Sequence, residues 1–301
     1  MTRKVHLLII DPQNDFCDLP NDCLPYNIFG AKQLSTDKPA LPVPGAHGDM
    51  LRLSDMIRKG QGAISDITIT LDSHHAVGIE RPLFWVQGNG QPVSPFTEIT
   101  AAKVRTGEVR PRNFTALDRT LAYLDALEAA GRYKLMVWPP HCEIGTWGHN
   151  VHDEVRKAYN EWEALNPEGR IVNKVLKGSN PWTEHYSALQ AEVPDENDSH
   201  TLLNSDLIQK LRGADLILVA GEAGSHCVKA TMEHLVENIG TDKIGNVVLL
   251  TDCISPVAGF EQSYLDFLRN MHNQGVRVAT SVDMLNELVP GTAARARSGL
   301  R

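Results

Sequence analysis

The stretch Asp215-Leu-Ile-Leu-Val-Ala-Gly-Glu-Ala-Gly-Ser-His-Cys227-Val-Lys-Ala-Thr231 decides the fold of this chain. Its first part, Leu216 to Ala220, is a continuous apolar run that predicts a buried strand. A strand that is apolar on both faces is typical of a parallel sheet covered by helices on both sides. Small residues follow, and a helical pattern begins near Cys227. The stretch therefore predicts a strand, a tight turn and a helix with Cys227 at its start.

The same alternation continues through the rest of the chain. Short apolar runs predict strands at Val5 to Ile10, Ile64 to Leu71, Leu135 to Trp138, Arg170 to Leu176, Leu216 to Ala220, Val247 to Thr251 and Val276 to Ala279. Helical patterns lie at His47 to Lys59, Ala116 to Ala130, Val151 to Leu165, Ser205 to Leu211, Lys229 to Asn238 and Gln262 to Asn273. The alternation predicts a doubly wound, mostly parallel α/β sheet of about six strands with helices on both faces, a Rossmann-like three-layer arrangement.

The length of 301 residues suits one large α/β domain, to which we assign residues 1–290. Residues 78–113 form an insertion rich in glycine and proline. Its aromatic residues are Phe84, Trp85 and Phe96. We expect the insertion to cover the mouth of a pocket, because long loops in compact domains tend to be functional. The alternative is an oligomer contact, and we expect a homo-oligomer. Residues 291–301 are interpreted as a C-terminal tail.

Charge and composition limit the partners. The formal net charge of −8 argues against nucleic acid, which usually binds a basic stripe. No apolar run approaches the ~18 residues that a membrane helix needs, and the first apolar segment is too short for a signal peptide. The chain has five cysteines, an odd number, and no disulfide framework stands out among them. This favours free thiols in a reducing compartment. We expect a cytoplasmic protein that acts on a small molecule, without nucleic acid or membrane.

Reactive side chains follow several of the predicted strands. In a doubly wound sheet, ligands bind beyond the carboxyl ends of the strands. The residues found there are Asp11, Asp72, His74, His141, Lys177 and the turn that leads to Cys227. The G-x-G-x-x-G pattern of a dinucleotide-binding protein does not follow the first strand, which argues against an NAD dehydrogenase.

Cys227 is the candidate nucleophile. At the start of a helix, unpaired backbone N–H groups and the helix dipole stabilise a thiolate, and the same N–H groups can hold an oxyanion. The alternative is a buried structural cysteine, which is the usual fate of a cysteine. Cys142 is the competing thiol, but it lies beside a candidate metal ligand in a loop with no evident dipole.

Asp11 and Lys177 are the candidate partners of the thiol. A carboxylate at the end of an apolar strand is desolvated, so its pKa should rise toward that of a working base. Asp15 is the better candidate for a capping role. Most lysines are exposed, and Lys174 competes with Lys177, but Gly178 favours Lys177 at the reversal of the chain.

Asp72, His74 and His141 are the candidate metal ligands. Asp72 and His74 are two residues apart, so in an extended segment both point to the same side, and this alternation favours His74 over His75. One carboxylate and two imidazoles leave positions open for water or substrate, as in a catalytic metal site. Satisfied surface histidines are the alternative. We expect one divalent metal ion, zinc as first choice, although iron and manganese also suit this set.

Taken together, these segments resemble the nicotinamidase branch of the isochorismatase-like cysteine hydrolases. The matching pieces are Asp11-Pro-Gln-Asn-Asp-Phe16, Leu71-Asp-Ser-His74, Trp138-Pro-Pro-His-Cys-Glu-Ile-Gly-Thr-Trp-Gly148, Lys177-Gly178 with Tyr186-Ser187, and Gly221-Glu-Ala-Gly-Ser-His-Cys227-Val228. They occur in the order of that family and span nearly the whole chain. The set is specific, although no single piece would be.

The resemblance implies a role for each matching residue. It implies a catalytic triad of Asp11, Lys177 and Cys227. It implies metal ligands Asp72, His74 and His141, and a pocket around an aromatic amide lined by Phe16, Trp138 and Tyr186. It also implies a cis peptide between Glu222 and Ala223, and an oxyanion hole formed by the N–H groups of Ala223 and Cys227.

The activity that the resemblance implies is hydrolysis of nicotinamide, or a similar aromatic amide, through a thioacyl-enzyme. This chain departs from the family at Glu222, where an apolar residue is usual, in the long stretch from Gly78 to Tyr133, and in the slightly longer spacing from Lys177 to Tyr186. The alternatives are a relative that acts on a different small amide, a metallohydrolase in which Cys227 is incidental, and a binding protein on the same fold.

Overall fold

The computed structural model describes residues 3–25, 38–165 and 169–289, so the tail expected at 291–301 lies outside the described residues. Within these ranges the strands are β1 (Val5–Ile10), β2 (Asp66–Asp72), β3 (Trp85–Gln87), β4 (Thr97–Ile99), β5 (Val109–Pro111), β6 (Leu135–Val137), β7 (Asn173–Lys177), β8 (Leu216–Gly221), β9 (Val247–Leu250) and β10 (Arg277–Ala279). The helices are α1 (Ala46–Gly60), α2 (Ala101–Arg105), α3 (Leu117–Ala130), α4 (Asp153–Ala164), α5 (Ser205–Arg212), α6 (Cys227–Asn238), α7 (Glu261–Asn273) and α8 (Ser281–Leu288).

A six-stranded sheet in the order β10-β9-β8-β1-β2-β7 forms the centre of the fold. All of its pairings are parallel. Every residue of β1 and β8 is buried, as expected for strands covered on both faces. The predicted doubly wound α/β sheet is therefore confirmed. After β1 the chain builds outward through β2 and β7 and then returns to β8, so the strand order reverses between β1 and β8. Ligands bind outside this switch point in such sheets.

The run predicted at Leu135 to Trp138 is a strand, β6, but it does not join the central sheet. It pairs antiparallel with β4, with Thr97 opposite Val137 and Ile99 opposite Leu135. Its buried residues pack in a second apolar core rather than under the main sheet. The sequence could not reveal this, because a three-residue apolar run has the same pattern in either sheet.

The insertion is a folded layer with its own apolar core, and it contains β3, β4, β5 and α2. The residues of this second core include Ile79, Phe84, Trp85, Val93, Ile99, Val104, Tyr123, Leu124, Leu127, Leu135 and Val137. Trp85 is fully buried, and its indole N–H donates to the carbonyl of Ile79 at 2.7 Å. The expectation that Trp85 belongs to a cover or an oligomer contact is therefore wrong. Phe96 is 55% exposed, and its ring lies 5.9 Å from that of Trp138.

Two helices were not predicted. They are α2 in the insertion and α8, which begins with a capping box between Thr280 and Asp283. Helix α6 begins at Cys227, as predicted from the nucleophile stretch, two residues before the periodic pattern that starts at Lys229. None of the helices in the described ranges is long and apolar enough to cross a membrane.

Candidate active site

Asp11 immediately follows β1 and is completely buried. Its φ of 42° turns the chain away from the sheet, and its backbone N–H donates to the hydroxyl of Thr70 at 3.0 Å. The same hydroxyl donates to Asp11 Oδ1 at 2.5 Å. Burial raises the pKa of this carboxyl, and the ammonium of Lys177 offsets part of that rise. Asp11 therefore has the environment of a base, as its position after an apolar strand indicated.

Lys177 ends β7 directly opposite Asp72 in the parallel register. Its ammonium is buried, 2.8 Å from Asp11 Oδ2, 2.8 Å from Asp72 Oδ1 and 3.6 Å from Cys227 Sγ. Burial alone would lower the pKa of Lys177, but the two carboxylates outweigh it and hold the pKa well above its ordinary value. The competing Lys174 is exposed. The structure thus brings Asp11, Lys177 and Cys227 together.

Cys227 is the first residue of α6, and its side chain is buried. The Glu222–Ala223 peptide just before it is cis, as the resemblance implied. The carbonyl of Ala223 accepts from the N–H groups of His226 and Val228, whereas the N–H groups of Ala223 and Cys227 have no backbone acceptor within residues 3–25, 38–165 and 169–289. These two donors suit an oxyanion.

The burial of Cys227 affects its protonation. Burial raises the pKa of this thiol well above its ordinary value, and Lys177 offsets only part of the rise. The resting side chain is therefore a thiol, not the thiolate that the helix start alone suggested. A nucleophile must be generated by transferring the proton to a base, and Asp11 contacts the same ammonium as the thiol does.

The three candidate metal ligands lie close together although they come from two separate segments of the chain. They are Asp72, His74 and His141. One ligand atom from each lies within 4.8 Å of the others, and all three residues are buried. Nε2 of His74 is 2.8 Å and Nε2 of His141 is 3.1 Å from Asp72 Oδ2. Two donors held ~2.1 Å from one metal at a right angle are about 3 Å apart, so this set fits a divalent metal. His75 is exposed, as the alternation indicated.

Glu80 and Arg81, from the start of the insertion, hold the two imidazoles. Glu80 Oε1 lies 3.1 Å from Nδ1 of His74. Arg81 Nη2 donates to the carbonyl of His141 at 2.7 Å, and Nδ1 of His141 lies 2.8 Å from the carbonyl of Pro139. Arg81 Nη1 also lies 3.1 Å from Nδ1 of His141, and both rings turn Nε2 toward Asp72 Oδ2, the side on which a metal would bind. The sequence analysis missed both residues, because nothing in their spacing connects them to the ligands.

Gly178 permits the close approach of β7 to the metal ligands. Its φ is +87°, and a Cβ there would lie 3.0 Å from Cε1 of His74 and 3.1 Å from Oδ1 of Asp72. Any side chain would thus meet both ligands and strain the backbone.

A small cavity of about 30 Å³ adjoins Cys227 and the ligand set. Phe16, Trp138 and Tyr186 line it, as the resemblance implied, and the Trp138 indole N–H donates to the hydroxyl of Tyr186 at 2.9 Å. Glu184 and His226 line it as well, and the sequence analysis missed both. Burial raises the pKa of Glu184 to about 7 and lowers the pKa of His226 to about 3. The surface of the cavity is mostly apolar, and Asp72, His141, Glu184 and His226 are the acidic and histidine residues that line it.

Comparison with known proteins gives structural matches only. No family model and no curated protein sequence matches this chain. The structure is similar to that of the Acinetobacter baumanii nicotinamidase and pyrazinamidase, with a TM-score of 0.58 at 19% identity over 94% of this chain and 99% of that one. It is also similar to yeast nicotinamidase bound to the inhibitor nicotinaldehyde, with a TM-score of 0.59 at 18% identity over 92% of this chain and 99% of that one.

A third solved structure is the pyrazinamidase of Pyrococcus horikoshii in complex with zinc. Its TM-score is 0.50 at 19% identity, over 92% of this chain and 99% of that one. At these identities the likeness shows a shared fold. The chain has the fold of these nicotinamidases over nearly its whole length.

Proposed function

We propose that this chain is a metal-assisted cysteine amidohydrolase of the nicotinamidase and isochorismatase-like family, acting on nicotinamide or a similar aromatic amide. The observation that carries the proposal is the buried ammonium of Lys177, which lies 2.8 Å from Asp11 and 3.6 Å from the thiol of Cys227. This arrangement supplies a base, a cation and a nucleophile in one water-poor site. The shared fold and the aromatic cavity support the same substrate class.

In the proposed cycle, Asp11 takes the thiol proton of Cys227, and the thiolate attacks the amide carbonyl carbon. The oxyanion accepts from the N–H groups of Ala223 and Cys227, at roughly 3 kcal/mol per donor. Asp11 then returns the proton to the leaving ammonia, and the carbon–nitrogen bond breaks to give a thioester. Asp11 next activates a water that hydrolyses the thioester, which releases the acid and restores the thiol.

Asp72, His74 and His141 are the residues that would hold a divalent metal ion. Such an ion supplies a Lewis acid that can bind a ring nitrogen of the substrate and so orient the carboxamide. We expect zinc, with iron or manganese as alternatives. A cytoplasmic location and a homo-oligomeric assembly remain predictions.

The test is ammonia release from nicotinamide, pyrazinamide and aliphatic amides by wild type, Cys227→Ala and Cys142→Ala. We expect turnover of the aromatic amides, loss of turnover in folded Cys227→Ala and retention in Cys142→Ala, whose thiol is buried away from Lys177. Substantial turnover by folded Cys227→Ala would reject the nucleophile and favour a metallohydrolase in which Cys227 is incidental. Turnover of aliphatic amides alone would reject the aromatic substrate.

A further inference from the structure

A pair of buried carboxyl groups lies directly behind the nucleophile turn. Glu222, which stands where an apolar residue was expected, is completely buried beside Asp49 of α1, and Ser255 contacts both carboxyl groups. Asp49 is also buried. None of the steps proposed above uses either residue.

The contacts of the pair require one proton between them. Asp49 accepts from the Ser255 hydroxyl at 2.5 Å and forms a salt bridge with Arg52. Glu222 Oε2 accepts from the Ser255 N–H at 3.2 Å, but Glu222 Oε1 has no N–H or O–H donor in the described part of the chain. Two adjacent buried carboxylates repel each other, so one of the two retains a proton and can donate it to the other. The cation beside Asp49 makes Asp49 the carboxylate and Glu222 the acid.

Ser255 connects this pair to the nucleophile turn. Its carbonyl accepts from the N–H of Gly224 at 2.8 Å, one residue after the proposed oxyanion donor Ala223. Farther along the same loop, the N–H of Val257 donates to the Ser225 hydroxyl at 3.1 Å. At the other end of the turn, the N–H of Glu222 donates to the carbonyl of Ile10 at 2.8 Å. A change at Glu222 should therefore reach the turn through Ser255.

We infer that Glu222 is a positioning residue: as a carboxylic acid it donates to Asp49, and with Ser255 it fixes the turn that aims Cys227 and the oxyanion donors. The inference rests on the proposed function, because it assigns Glu222 a part in the reactivity of that same cysteine. Glu222 touches no reacting atom and acts through the backbone of residues 222–225.

The proton on Glu222 makes the stability of the folded state depend on pH. Burial, followed by Asp49, raises the pKa of Glu222 well above its ordinary value, so folding retains a proton that the unfolded chain loses. The folded state therefore loses stability as pH rises above the ordinary glutamate value, until Glu222 ionises. The other groups near the pair are Arg52 on α1, Cys17 and Asp18 before α1, Cys253 before the Ser255 loop and Tyr264 on α7. Burial raises the pKa of the Cys17, Cys253 and Tyr264 side chains, so these three stay neutral across this range.

The experiment compares wild type with Glu222→Gln, Glu222→Leu and the exposed control Glu196→Gln. In Glu222→Gln the new amide can donate to Asp49 and accept from Ser255, so this variant should keep the wild-type reactivity of Cys227. It should also gain Tm over wild type by about 3 °C per pH unit from pH 5 to 7, the effect of one proton, whereas Glu196→Gln should run parallel to wild type. Glu222→Leu removes both hydrogen bonds and should slow alkylation of Cys227 by iodoacetamide about fivefold, with a similar fall in kcat and little change in KM.

The outcomes separate this inference from the proposed function. Parallel Tm curves for wild type and Glu222→Gln, or wild-type alkylation of Cys227 in Glu222→Leu, would overturn the inference. If Glu222→Leu does not fold, Ser255→Ala replaces it, because it removes the hydroxyl that joins Asp49 to the loop, and unchanged alkylation there has the same meaning. If wild type releases ammonia from no amide while the Tm curves diverge and alkylation slows, the proposed function fails and the positioning role stands.

Discussion

Replacing Lys177 with methionine tests the charge balance on which the proposed mechanism depends. The ammonium lies 2.8 Å from one oxygen each of Asp11 and Asp72. At an effective dielectric constant of about 20, each contact is worth about 6 kcal/mol before the cost of burying the charges. That cost cancels most of the gain, so removing one partner of a buried pair typically costs about 3–5 kcal/mol. For a chain of this size that loss lowers Tm by about 6–10 °C.

The loss in Lys177→Met should depend on pH. Without the ammonium, the pKa of Asp11, already raised by burial, rises further. A carboxyl whose folded pKa exceeds its unfolded pKa destabilises the fold only above the unfolded value. The Tm difference from wild type should therefore be small near pH 4.5 and largest above pH 7. Ammonia release should be lost at every pH, because no cation remains beside the base and the thiol.

The assay is thermal unfolding from pH 4.5 to 8.5 in the presence of a chelator, beside ammonia release. Lys174→Met is the matched control, since it makes the same substitution on the same strand at an exposed residue. We expect Lys174→Met to melt and turn over as wild type does. If Lys177→Met melts within about 2 °C of wild type at pH 8, the two carboxylates are not held by this ammonium and the reasoning is refuted.

Three further predictions concern the insertion. Glu80→Gln should weaken zinc affinity by about 10–100-fold, because Glu80 orients Nδ1 of His74. The affinity is measured by competition with a coloured chelator, and Glu108→Gln, at an exposed residue, is the control. An unchanged affinity would show that Glu80 does not support the site. Trp85→Ala should cost about 3–5 kcal/mol of stability while the KM of the folded enzyme stays unchanged, because the indole is core. Phe96→Ala should change KM with little loss of stability, because Phe96 is exposed beside Trp138. If KM changes in Trp85→Ala but not in Phe96→Ala, the roles assigned to these two residues are wrong.

The central fold could be predicted because its signals are local. The central strands β1, β8 and β9 are short apolar runs, and the six predicted helices show helical patterns in the segments between strands. Local sequence does not reveal which strand a short apolar run will pair with. The run at Leu135 to Trp138 has the pattern of another strand of the central sheet. In the structure it instead pairs antiparallel with β4, a segment whose sequence carries no strand signal. Pairing of this kind depends on contacts between distant residues, which periodicity does not contain.

The candidate site could be predicted for a related reason. In a parallel sheet, residues that end different strands meet at one edge, so Asp11, Asp72 and Lys177 could be grouped without knowledge of the strand order. His141 was also placed at this edge, but by a loop after an antiparallel strand and not by the sheet. Its position was right although the assumed strand pairing was wrong. The motif around His141 carried that prediction, and the topology did not.

What the sequence could not show is the buried polar groups that hold the site in place. Glu80 and Arg81 appear in the sequence as an ordinary charged pair in a loop, and Glu222 appears as a departure from an apolar pattern. Each is buried against a partner that arrives from another segment: His74 and His141 for the first two, Asp49 for the third. A buried charge is costly unless it is paired, so these residues can persist only where such partners exist. The insertion is therefore bound to the metal ligands by charged contacts beneath the pocket as well as by an aromatic ring at its rim, and shortening it should disturb the metal site before it alters access for substrate.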